Sequence, residues 1–469
     1  MRAVPRRILI PLIIACALFM ENMDSTVLVT ALPAIAGDLG ENPLALKLAL
    51  TAYLVSLAVF IPVSGWVADR FGSRTVFVSA IVTFMGGSLL CAASSTLGGF
   101  VAARFLQGIG GAMMVPVGRL VLLRSVPKSE LVTALTWLTL PALLGPVLGP
   151  PLGGLITEFW HWRGIFLLNV PVSILGVVLA LKFIPDIREE KVPPLDLSGF
   201  ALSGVGFSVL MLGLSSLGGH LLPSWLTAAC VLLGAVVIGL YVRHARRVPH
   251  PLIDFTLLRE PTFRAGVIGG SLFRVGMGAV PFLLPLLFQL GFGLSPSQSG
   301  LISCGTAMGA MGIRAISVRV LRRYGFRAVL KLNAVVSSAA LAAYGLFTAA
   351  TPHLVIFLVL LVTGSARSLQ MNFNNAISFA DVDKPSMSRA TSLMSMAQRL
   401  SQSMGVAAGA YALELSSLWQ GHASIMAADF WPAFIVAALI SISSLYFYLT
   451  LSPDAGTELS GHHPANKPT

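Results

Sequence analysis

The sequence predicts an all-helical protein that crosses a membrane many times. Hydrophobic residues make up 55% of the chain and charged residues only 11%, whereas charged residues are about a quarter of a typical soluble domain. The mean hydropathy is +0.83. Apolar stretches of about 20 residues, long enough to span a bilayer as a helix, recur along the chain. Together these observations exclude a soluble globular protein.

Fourteen such apolar stretches are present, each with ends defined to within a few residues. They run approximately over residues 8–36, 44–68, 75–95, 99–123, 131–157, 164–184, 197–218, 224–243, 264–290, 298–318, 328–349, 353–377, 389–413 and 430–451. We therefore expect about fourteen transmembrane helices.

The positive charge is distributed unevenly among the links, the short segments that join one apolar stretch to the next. The net charge is +12, but no basic run is interleaved with aromatic residues, so a nucleic-acid partner is not expected. With a cytoplasmic N-terminus, the opposite links hold only Lys47 and Arg163. The even-numbered links hold Arg70, Arg74, Arg124, Lys128, Lys182, Arg188, Lys191, Arg243, Arg246, Arg247, Arg259, Arg264, Arg319, Arg322, Arg323, Arg327, Lys331, Lys384 and Arg389. This asymmetry predicts that both termini are cytoplasmic.

Two acids lie inside the first apolar stretch. Glu21 and Asp24 are three residues apart, which places them on one helix face. A charge near the bilayer centre costs about 3 kcal/mol on insertion scales, so such residues usually face a cavity or a partner. We interpret the acids as a proton or substrate site. The alternative is a pair of packing acids hydrogen-bonded to neighbouring helices.

The sequence around Asp24 carries a family resemblance. Residues 23–33 read MDSTVLVTALP and resemble the first-helix signature LDxTIVNVALP of the fourteen-helix drug:proton antiporter branch of the major facilitator superfamily. Asp24, Thr26 and Pro33 match the signature, whereas Val29 stands where the family usually has Asn. The resemblance implies two six-helix bundles with two inserted helices, and a proton-coupling role for Asp24.

The link between the second and third spans carries another signature. Residues 65–74 read GWVADRFGSR and resemble the superfamily loop GxLaDRxGRR. The matching residues, which we expect to support conformational change, are Gly65, Asp69, Arg70, Gly72 and Arg74. We expect close helix approach at Gly65, a cap or ion pair at Asp69 and a tight turn at Gly72. Residues 318–327, VRVLRRYGFR, repeat this pattern weakly.

The fourth and fifth spans add two further signatures. Residues 101–111, VAARFLQGIGG, resemble the family's fourth-helix pattern, and Arg104 falls near the depth of Asp24. The two residues are expected to pair, unless Arg104 extends to the outer headgroups. Residues 140–155, LPALLGPVLGPPLGGL, resemble the antiporter pattern GxxxGPxxGG. Its small-residue ridge is Gly145, Pro146, Gly149, Pro150, Gly153 and Gly154, either a moving interface or a structural packing seam.

The chain divides into four predicted regions. Residues 1–184 form the first six-helix bundle, and 185–263 hold a proline-rich linker, two extra helices and a basic cytoplasmic loop. Residues 264–451 form the second bundle, and 452–469 form a cytoplasmic tail. Residues 162–171, WRGIFLLNVP, match the branch's entry to the sixth helix, and Trp160 and Trp162 fit an interfacial belt.

The second bundle has its own polar residues within apolar spans. The candidate cavity residues are Arg274, Arg367, Gln370, Asn374 and Arg399. In this superfamily the first and fourth helices of each bundle line the cavity. We hypothesise that Arg274 or Arg367 faces the acids of the first bundle, with Arg104 as the competing partner of Asp24. Each of these residues has the alternative role of joining neighbouring helices by hydrogen bonds.

The family resemblance, together with the buried ionisable residues, implies a proton-coupled secondary transporter that exports small amphipathic compounds by alternating access, as a multidrug efflux antiporter does. No phosphate-loop or ATPase signature is present, so we expect an ion gradient, no cofactor and no metal. Cys16, Cys91, Cys230 and Cys304 are expected to be packing residues. The expected partners are the substrate, protons and the lipid bilayer, and the expected state is a monomer.

Two other functions remain open. Arginines outnumber acids in the predicted core, which favours an exporter of an organic anion or metabolite. A receptor or scaffold that transports nothing would need none of this core charge. The expected location is the cell membrane, and the inner membrane if the source is a Gram-negative bacterium.

Overall fold

A computed structural model describes residues 6–125, 131–188, 192, 194–216, 222–248, 251–253, 255–382, 387–422 and 424–457. Within these ranges only the backbone is described for 6–8, 119, 123–125, 131–143, 315, 318, 387–389 and 392. Three link residues, Lys128, Lys191 and Lys384, lie outside the described residues, as does residue range 458–469 of the predicted tail.

All regular secondary structure in the described residues is helical, which confirms the predicted fold class. The segments matching the fourteen predicted spans are α1 (Arg6–Leu39), α2 (Lys47–Phe71), α3 (Ser73–Ala93), α4 (Leu97–Ser125), α5 (Leu131–Phe159), α6 (Arg163–Phe183), α7 (Leu197–Ser215), α8 (Ser224–Ala245), α9 (Pro261–Gly291), α10 (Pro296–Gly312), α11 (Arg314–Ala343), α12 (His353–Ser378), α13 (Met387–Gln420) and α14 (Ala427–Leu449). A helix satisfies its own backbone groups, as a bilayer requires.

Eleven helices among the described residues are long and apolar enough to cross a membrane. The remaining three predicted spans coincide with α5, α10 and α13, which are helical at the predicted positions. The boundary of the eleventh span differs from expectation, because α11 already begins at Arg314 and contains a sharp break. At Gly325 the φ angle is 72° and the ψ angle is 167°, a conformation that favours glycine.

The chain forms two compact units. The first comprises Met1–Ser216, His220–Leu252 and Ser295–Leu301. Within it α1 packs along α5 and also contacts α4 and α6, while α4 packs on α2 and α3. The aromatic residues Phe77 and Phe84 of α3 are fully buried in its apolar core. Helix α1 therefore packs against three other helices of this unit, α4, α5 and α6.

The two extra helices, α7 and α8, pack on each other and join the first unit through α2. Gly234 of α8 lies so close to Leu210 of α7 that a Cβ would be 2.5 Å from the Leu210 nitrogen. This close contact explains how two short, strongly apolar helices form a stable pair. The predicted region boundaries at residues 184 and 263 stay predictions.

The second unit contains Ile253–Leu294 and Ile302–Thr469. Its first helix, α9, packs on α13 and α14, and α11 packs on α12 and α14. Two π-helical turns, Ala265–Gly269 and Leu287–Gly291, interrupt the regular helix of α9. Such π turns frequently occur at functional sites, and Arg274 lies on the α-helical segment between them.

The two tryptophans expected in an interfacial belt differ in exposure. Trp160 is 86% exposed, as expected at an interface. Trp162 is only 2% exposed, so the expectation for this residue was wrong. Its ring packs edge-on against Phe100 and Phe166, and its Nε1 donates to Asp38 at 3.1 Å. Aromatic packing therefore buries Trp162 inside the first unit.

Candidate functional site

Asp24 is the central residue of the apolar stretch Leu9–Leu39 in α1. Its side chain is buried, with 1% of the residue exposed, and Glu21 one turn earlier is 4% exposed. A carboxylate in this position is stable only with partners that replace its lost hydration. The hydrogen bonds around Asp24 therefore define the candidate site.

The first partner of Asp24 is Arg104 of α4. Arg104 Nη1 donates to Asp24 Oδ2 at 2.6 Å, forming an ion pair between two buried side chains. Its guanidinium lies 4.4 Å from the centroid of the Tyr53 ring in α2, a cation–π contact. Arg104 is 0% exposed. The side chain is turned into the unit and bound to Asp24, rather than extended to the headgroups.

Gln107, one turn after Arg104, contacts both members of the ion pair. Its Nε2 donates to Asp24 Oδ1 at 2.9 Å, and its Oε1 accepts from Arg104 Nη1 at 2.5 Å. The same Nε2 also donates to Ser88 Oγ of α3 at 2.7 Å. Close approach of α3 to α4 makes this possible, since a Cβ on Gly87 would lie 2.6 Å from the Gln107 Cα.

Asn169 of α6 supplies a second amide donor to the carboxylate. Its Nδ2 donates to Asp24 Oδ1 at 2.8 Å and to Ser88 Oγ at 3.1 Å. The Asn169 Oδ1 atom is buried and has no hydrogen-bond partner among the described residues. The sequence analysis did not assign Asn169 or Ser88 to a site. Asn169 does lie in the motif WRGIFLLNVP, and that motif was the one feature of the sequence that could have indicated a role for it.

The network can accommodate two protonation states of Asp24. Protonation removes the charge that binds Arg104, but Gln107 Oε1 and the Tyr53 ring still contact the guanidinium. A carboxylic acid also donates one hydrogen bond, and an amide that rotates by half a turn exchanges its donor for an acceptor. Asn169 Oδ1 is the buried acceptor suited to that bond. Neither state leaves the arginine without a partner.

The small-residue ridge of α5 lies beside the turns of α1 on either side of Asp24. A Cβ on Gly149 would clash with Thr26 Oγ1, and a Cβ on Gly153 would clash with Thr30 Oγ1. A Cβ on Gly145 would lie 3.0 Å from the Met23 nitrogen. The three glycines therefore allow backbone contact between the two helices.

The other ridge residues face the segment Ser295–Leu301, which belongs to the same unit. A Cβ on Gly154 would clash with the Pro296 carbonyl oxygen, and a Cβ on Gly300 would clash with that of Pro150. Pro146 lies within the helix one residue after Gly145. The ridge thus contacts two neighbours rather than one, with α1 on one side.

The loop signature at residues 65–74 ends α2 and begins α3. Gly72 has a φ angle of 94°, which favours glycine. Asp186 Oδ1 accepts from the backbone N–H groups of Arg74 at 3.2 Å and Thr75 at 3.5 Å, and so caps the N-terminus of α3. Ser73 N–H donates to the Ile187 carbonyl oxygen at 3.0 Å. The beginning of the linker therefore binds this turn.

Three other residues of the signature are less closely packed. Arg70 is exposed, and Asp69 is half-buried near the end of α2. The expected close approach of a helix at Gly65 is not observed: Gly65 is exposed, and a Cβ there would meet no described atom within 4 Å. This expectation was wrong for the present conformation, because Gly65 lies on the open side of α2.

In the second unit, Arg274 joins the first and fourth helices of its bundle. Arg274 Nη2 of α9 donates to Asn375 Oδ1 of α12 at 2.9 Å, and Gln398 Nε2 of α13 donates to the same oxygen at 2.9 Å. Arg274 is 5% exposed and Asn374 is 0% exposed. The sequence analysis selected Arg274 and Asn374 as cavity residues, but it did not select the bridging Asn375.

The remaining predicted cavity residues are placed as follows. Gln370 is fully buried and joins α12 to α11, accepting from Asn333 Nδ2 at 3.0 Å and donating to the Leu330 carbonyl oxygen at 3.3 Å. This favours the alternative role of helix pairing for Gln370. Arg367 and Arg399 are half-buried on α12 and α13. An ion pair of Asp24 with Arg274 or Arg367 stays a prediction.

The described residues contain no cluster of His, Cys, Asp and Glu suited to a metal ion. The site combines the buried acid Asp24 with a glycine seam, the name we give to Gly145, Gly149 and Gly153 of the α5 ridge. The family model of the Major Facilitator Superfamily matches residues 14–406. The chain belongs to this superfamily. It is a transporter and not an enzyme, and it is a multi-pass membrane protein.

Two relatives extend the match over most of the chain. MdtD of Klebsiella pneumoniae subsp. pneumoniae, a protein named for multidrug resistance, is 40% identical over 445 residues, covering 93% of this chain and 93% of the relative. MdtD of Citrobacter koseri is 40% identical over 394 residues, covering 84% of this chain and 83% of the relative. The recognition of the drug:proton antiporter branch from sequence is thereby confirmed.

Solved structures of distant sequence share the fold. A peptide transporter crystallised with sulfate has a TM-score of 0.71 at 15% identity, with 97% of this chain and 96% of that chain covered. The human organic anion transporter MFSD10 has a TM-score of 0.62 at 15% identity, with 95% and 100% covered. These similarities support the fold alone.

Proposed function

We propose that this transporter exports small amphipathic compounds in exchange for protons, and that Asp24 carries the coupling proton. The observation that supports this most strongly is the ion pair between Asp24 and Arg104, buried at the centre of the apolar stretch of α1. An intramembrane acid is costly to maintain, and such residues commonly mark proton or substrate pathways. Here the acid also belongs to a network that tolerates loss of its charge.

The coupling follows from the charge of the carboxylate. Ionised Asp24 binds Arg104, Gln107 and Asn169, and so holds α1, α4 and α6 together. Protonation removes the charge-assisted bond to Arg104, which is the strongest of these bonds. The equilibrium between access states then depends on whether Asp24 carries a proton. The transmembrane proton gradient then supplies the energy for transport, and this bias couples the gradient to the change of access state.

The glycine seam is the surface along which we propose that α1 and α5 move. Gly145, Gly149 and Gly153 present no side chain to the turns of α1 on either side of Asp24. Because α5 presents no side chain at these positions, small shifts of α1 do not require two sets of interdigitated side chains to repack. A change at Asp24 is thereby passed to α5 within the same unit.

The substrate class is proposed from the relatives. The most similar proteins described above are named for multidrug resistance, and we propose the same role in efflux for this chain, including resistance to antibiotics. We also propose the inner membrane of a Gram-negative bacterium as its location, with both termini in the cytoplasm and a monomer as the transporting unit. The excess of arginine and lysine in the even-numbered links supports that orientation.

The experiment uses purified protein in proteoliposomes, with ethidium and labelled benzoate as two test compounds. An imposed pH gradient should drive export of at least one compound by the unchanged protein. Asp24→Asn should abolish this gradient-driven transport but retain exchange of labelled for unlabelled compound without a gradient. Glu41→Gln is the matched control, since Glu41 is an exposed acid just after α1, and it should transport normally.

Two results would count against the proposal. Full gradient-driven transport by the Asp24→Asn protein would show that another group carries the proton. Loss of both gradient-driven transport and exchange, in a protein that inserts and folds normally, would show that Asp24 serves binding or structure instead. Glu21→Gln, measured in parallel, separates the contributions of the two acids in α1.

A further inference from the structure

The two units differ in how their buried arginines are neutralised. In the first unit Arg104 of α4 is paired with a carboxylate of α1. In the second unit Arg274 belongs to α9, the counterpart of α1, and bonds to Asn375 of α12, the counterpart of α4. An amide stands where the first unit has an ion pair. Among the described residues, neither Arg274 nor Arg367 forms an ion pair with a carboxylate.

Arg274 lies close to the centre of the apolar span Pro261–Gly291. Its Nη2 is used by Asn375, but its Nη1 is buried and has no hydrogen-bond partner among the described residues. Arg367 is also positively charged, so it repels the charge of Arg274 and does not neutralise it. One guanidinium edge is therefore buried, positively charged and unsatisfied.

The second unsatisfied group is the side-chain amide of Asn374, whose Nδ2 and Oδ1 atoms are both buried without a partner in the described part of the chain. The Tyr448 hydroxyl interacts with Arg274 and with this amide, but its oxygen is also buried without a hydrogen-bond partner in the described part of the chain. The free Nη1 of Arg274 and the free amide of Asn374 meet at Gly270. A Cβ there would lie 3.0 Å from Nη1 and 3.4 Å from Asn374 Nδ2.

Physical chemistry indicates which group would satisfy these donors. A buried charge without a counter-charge is strongly unfavourable, and an added anion removes that cost. A guanidinium presents its N–H groups in a planar fork that matches the two oxygens of a carboxylate. The neighbouring amide adds a further donor from Asn374. A metal ion or an organic cation would be repelled by Arg274 and Arg367 alike.

We propose that Arg274 and Asn374, which meet beside Gly270, form a subsite for the carboxylate of an amphipathic organic anion. The substrate thus supplies in the second unit the carboxylate that Asp24 supplies to Arg104 in the first. This inference deepens the proposed function. Its statement that the bound anion is transported rests on that function. Binding itself does not depend on proton coupling.

The experiment therefore measures binding without any gradient. The full-length protein is placed in phosphatidylcholine nanodiscs, so that no anionic lipid competes, and is titrated with labelled benzoate and with its neutral analogue benzamide. Arg274→Gln should weaken benzoate binding by about ten- to a hundredfold, the range for a lost hydrogen bond to a charged group. It should leave benzamide binding unchanged. Arg319→Gln, an exposed arginine of the same unit, is the matched control and should bind benzoate normally.

Gly270→Ala is the second variant, because its methyl group crowds Nη1 while keeping the positive charge. It should weaken benzoate binding at least severalfold, and it decides the question if Arg274→Gln does not fold. The proposal is overturned if the folded Arg274→Gln and Gly270→Ala proteins bind benzoate as tightly as the unchanged protein. It is equally overturned if the unchanged protein prefers inorganic sulfate or binds no benzoate. Asp24→Asn should bind benzoate, which separates this outcome from failure of the proposed proton coupling.

Discussion

Gly149 of α5 packs directly against Thr26 of α1, two residues after Asp24. No room exists for a methyl group there, since a Cβ on Gly149 would clash with Thr26 Oγ1 and lie 3.3 Å from the Val27 nitrogen. Thr26 itself is fixed, because its Oγ1 donates to the carbonyl oxygens of Asn22 and Met23 at 2.9 and 3.0 Å. Neighbouring turns of α1 therefore carry both features: Asp24 binds α4 and α6, and Thr26 packs on the glycine seam of α5.

Gly149→Ala should therefore impair transport more than its size suggests. We expect overpacking to destabilise the present arrangement of α1 and α5 by about 1–3 kcal/mol, and to slow exchange of substrate in proteoliposomes strongly. Gly149→Leu should block exchange. Both proteins should still insert into the membrane, because neither substitution makes α5 less hydrophobic. The measurement is the initial rate of exchange at equal protein density.

The control for this prediction is Gly86→Ala on α3, where a Cβ would meet no described atom within 4 Å. It should exchange substrate at the normal rate. Combining Gly149→Ala with Thr26→Ala removes the nearest clashing atom and should restore part of the rate. Equal rates for Gly149→Ala and the unchanged protein would show that the seam does not move.

Gln107→Leu tests whether Arg104 needs an acceptor other than Asp24. The change removes the Oε1 atom that accepts from Arg104 and the Nε2 atom that donates to Asp24 and Ser88. We expect a loss of about 1–3 kcal/mol for buried groups left unsatisfied, seen as a lower thermal unfolding temperature. Gradient-driven transport should fall further than exchange, since the protonated state loses its remaining acceptor for Arg104.

Gln107→Glu gives the opposite comparison, because it keeps an acceptor for Arg104 but adds a second acid. It should retain the unfolding temperature better than Gln107→Leu and should change the dependence of transport on pH. If the two variants behave alike in both assays, Gln107 acts by shape rather than through its hydrogen bonds.

Asp186→Ala should weaken the cytoplasmic-side turn predicted at Gly72. Asp186 accepts two backbone N–H groups at the start of α3, and loss of such a cap costs about 1 kcal/mol. We expect a lower unfolding temperature and faster proteolysis at the linker after Ile184. Asp186→Asn keeps an acceptor and should lose less. Equal stability of all three proteins would mean that the cap contributes nothing.

Sequence reasoning located the helices because an apolar run of about 20 residues has few alternatives to a membrane span. It located Asp24, Arg104 and Arg274 for a related reason, since a charged residue is rare and costly inside such a run. Both kinds of signal depend on local composition. Neither requires knowledge of which helices are neighbours.

The residues that were missed are neutral. Ser88, Asn169 and Asn375 are ordinary polar residues in apolar helices. Only their three-dimensional neighbours show that Asn169 and Asn375 bind a charged group and that Ser88 accepts from the amides beside Asp24. The two wrong expectations have the same origin. Trp162 is buried by Phe100 and Phe166, and Gly65 faces open space, although each fits a general rule for its residue type.

The most direct test of the central claim measures the proton movement that accompanies substrate transport and that we assign to Asp24. Proteoliposomes with an internal pH dye receive a substrate gradient and no imposed pH gradient. For the unchanged protein we expect protons to move opposite to the substrate, and for Asp24→Asn no proton movement while exchange of substrate continues. Proton movement driven by the substrate gradient in the Asp24→Asn protein would contradict the account.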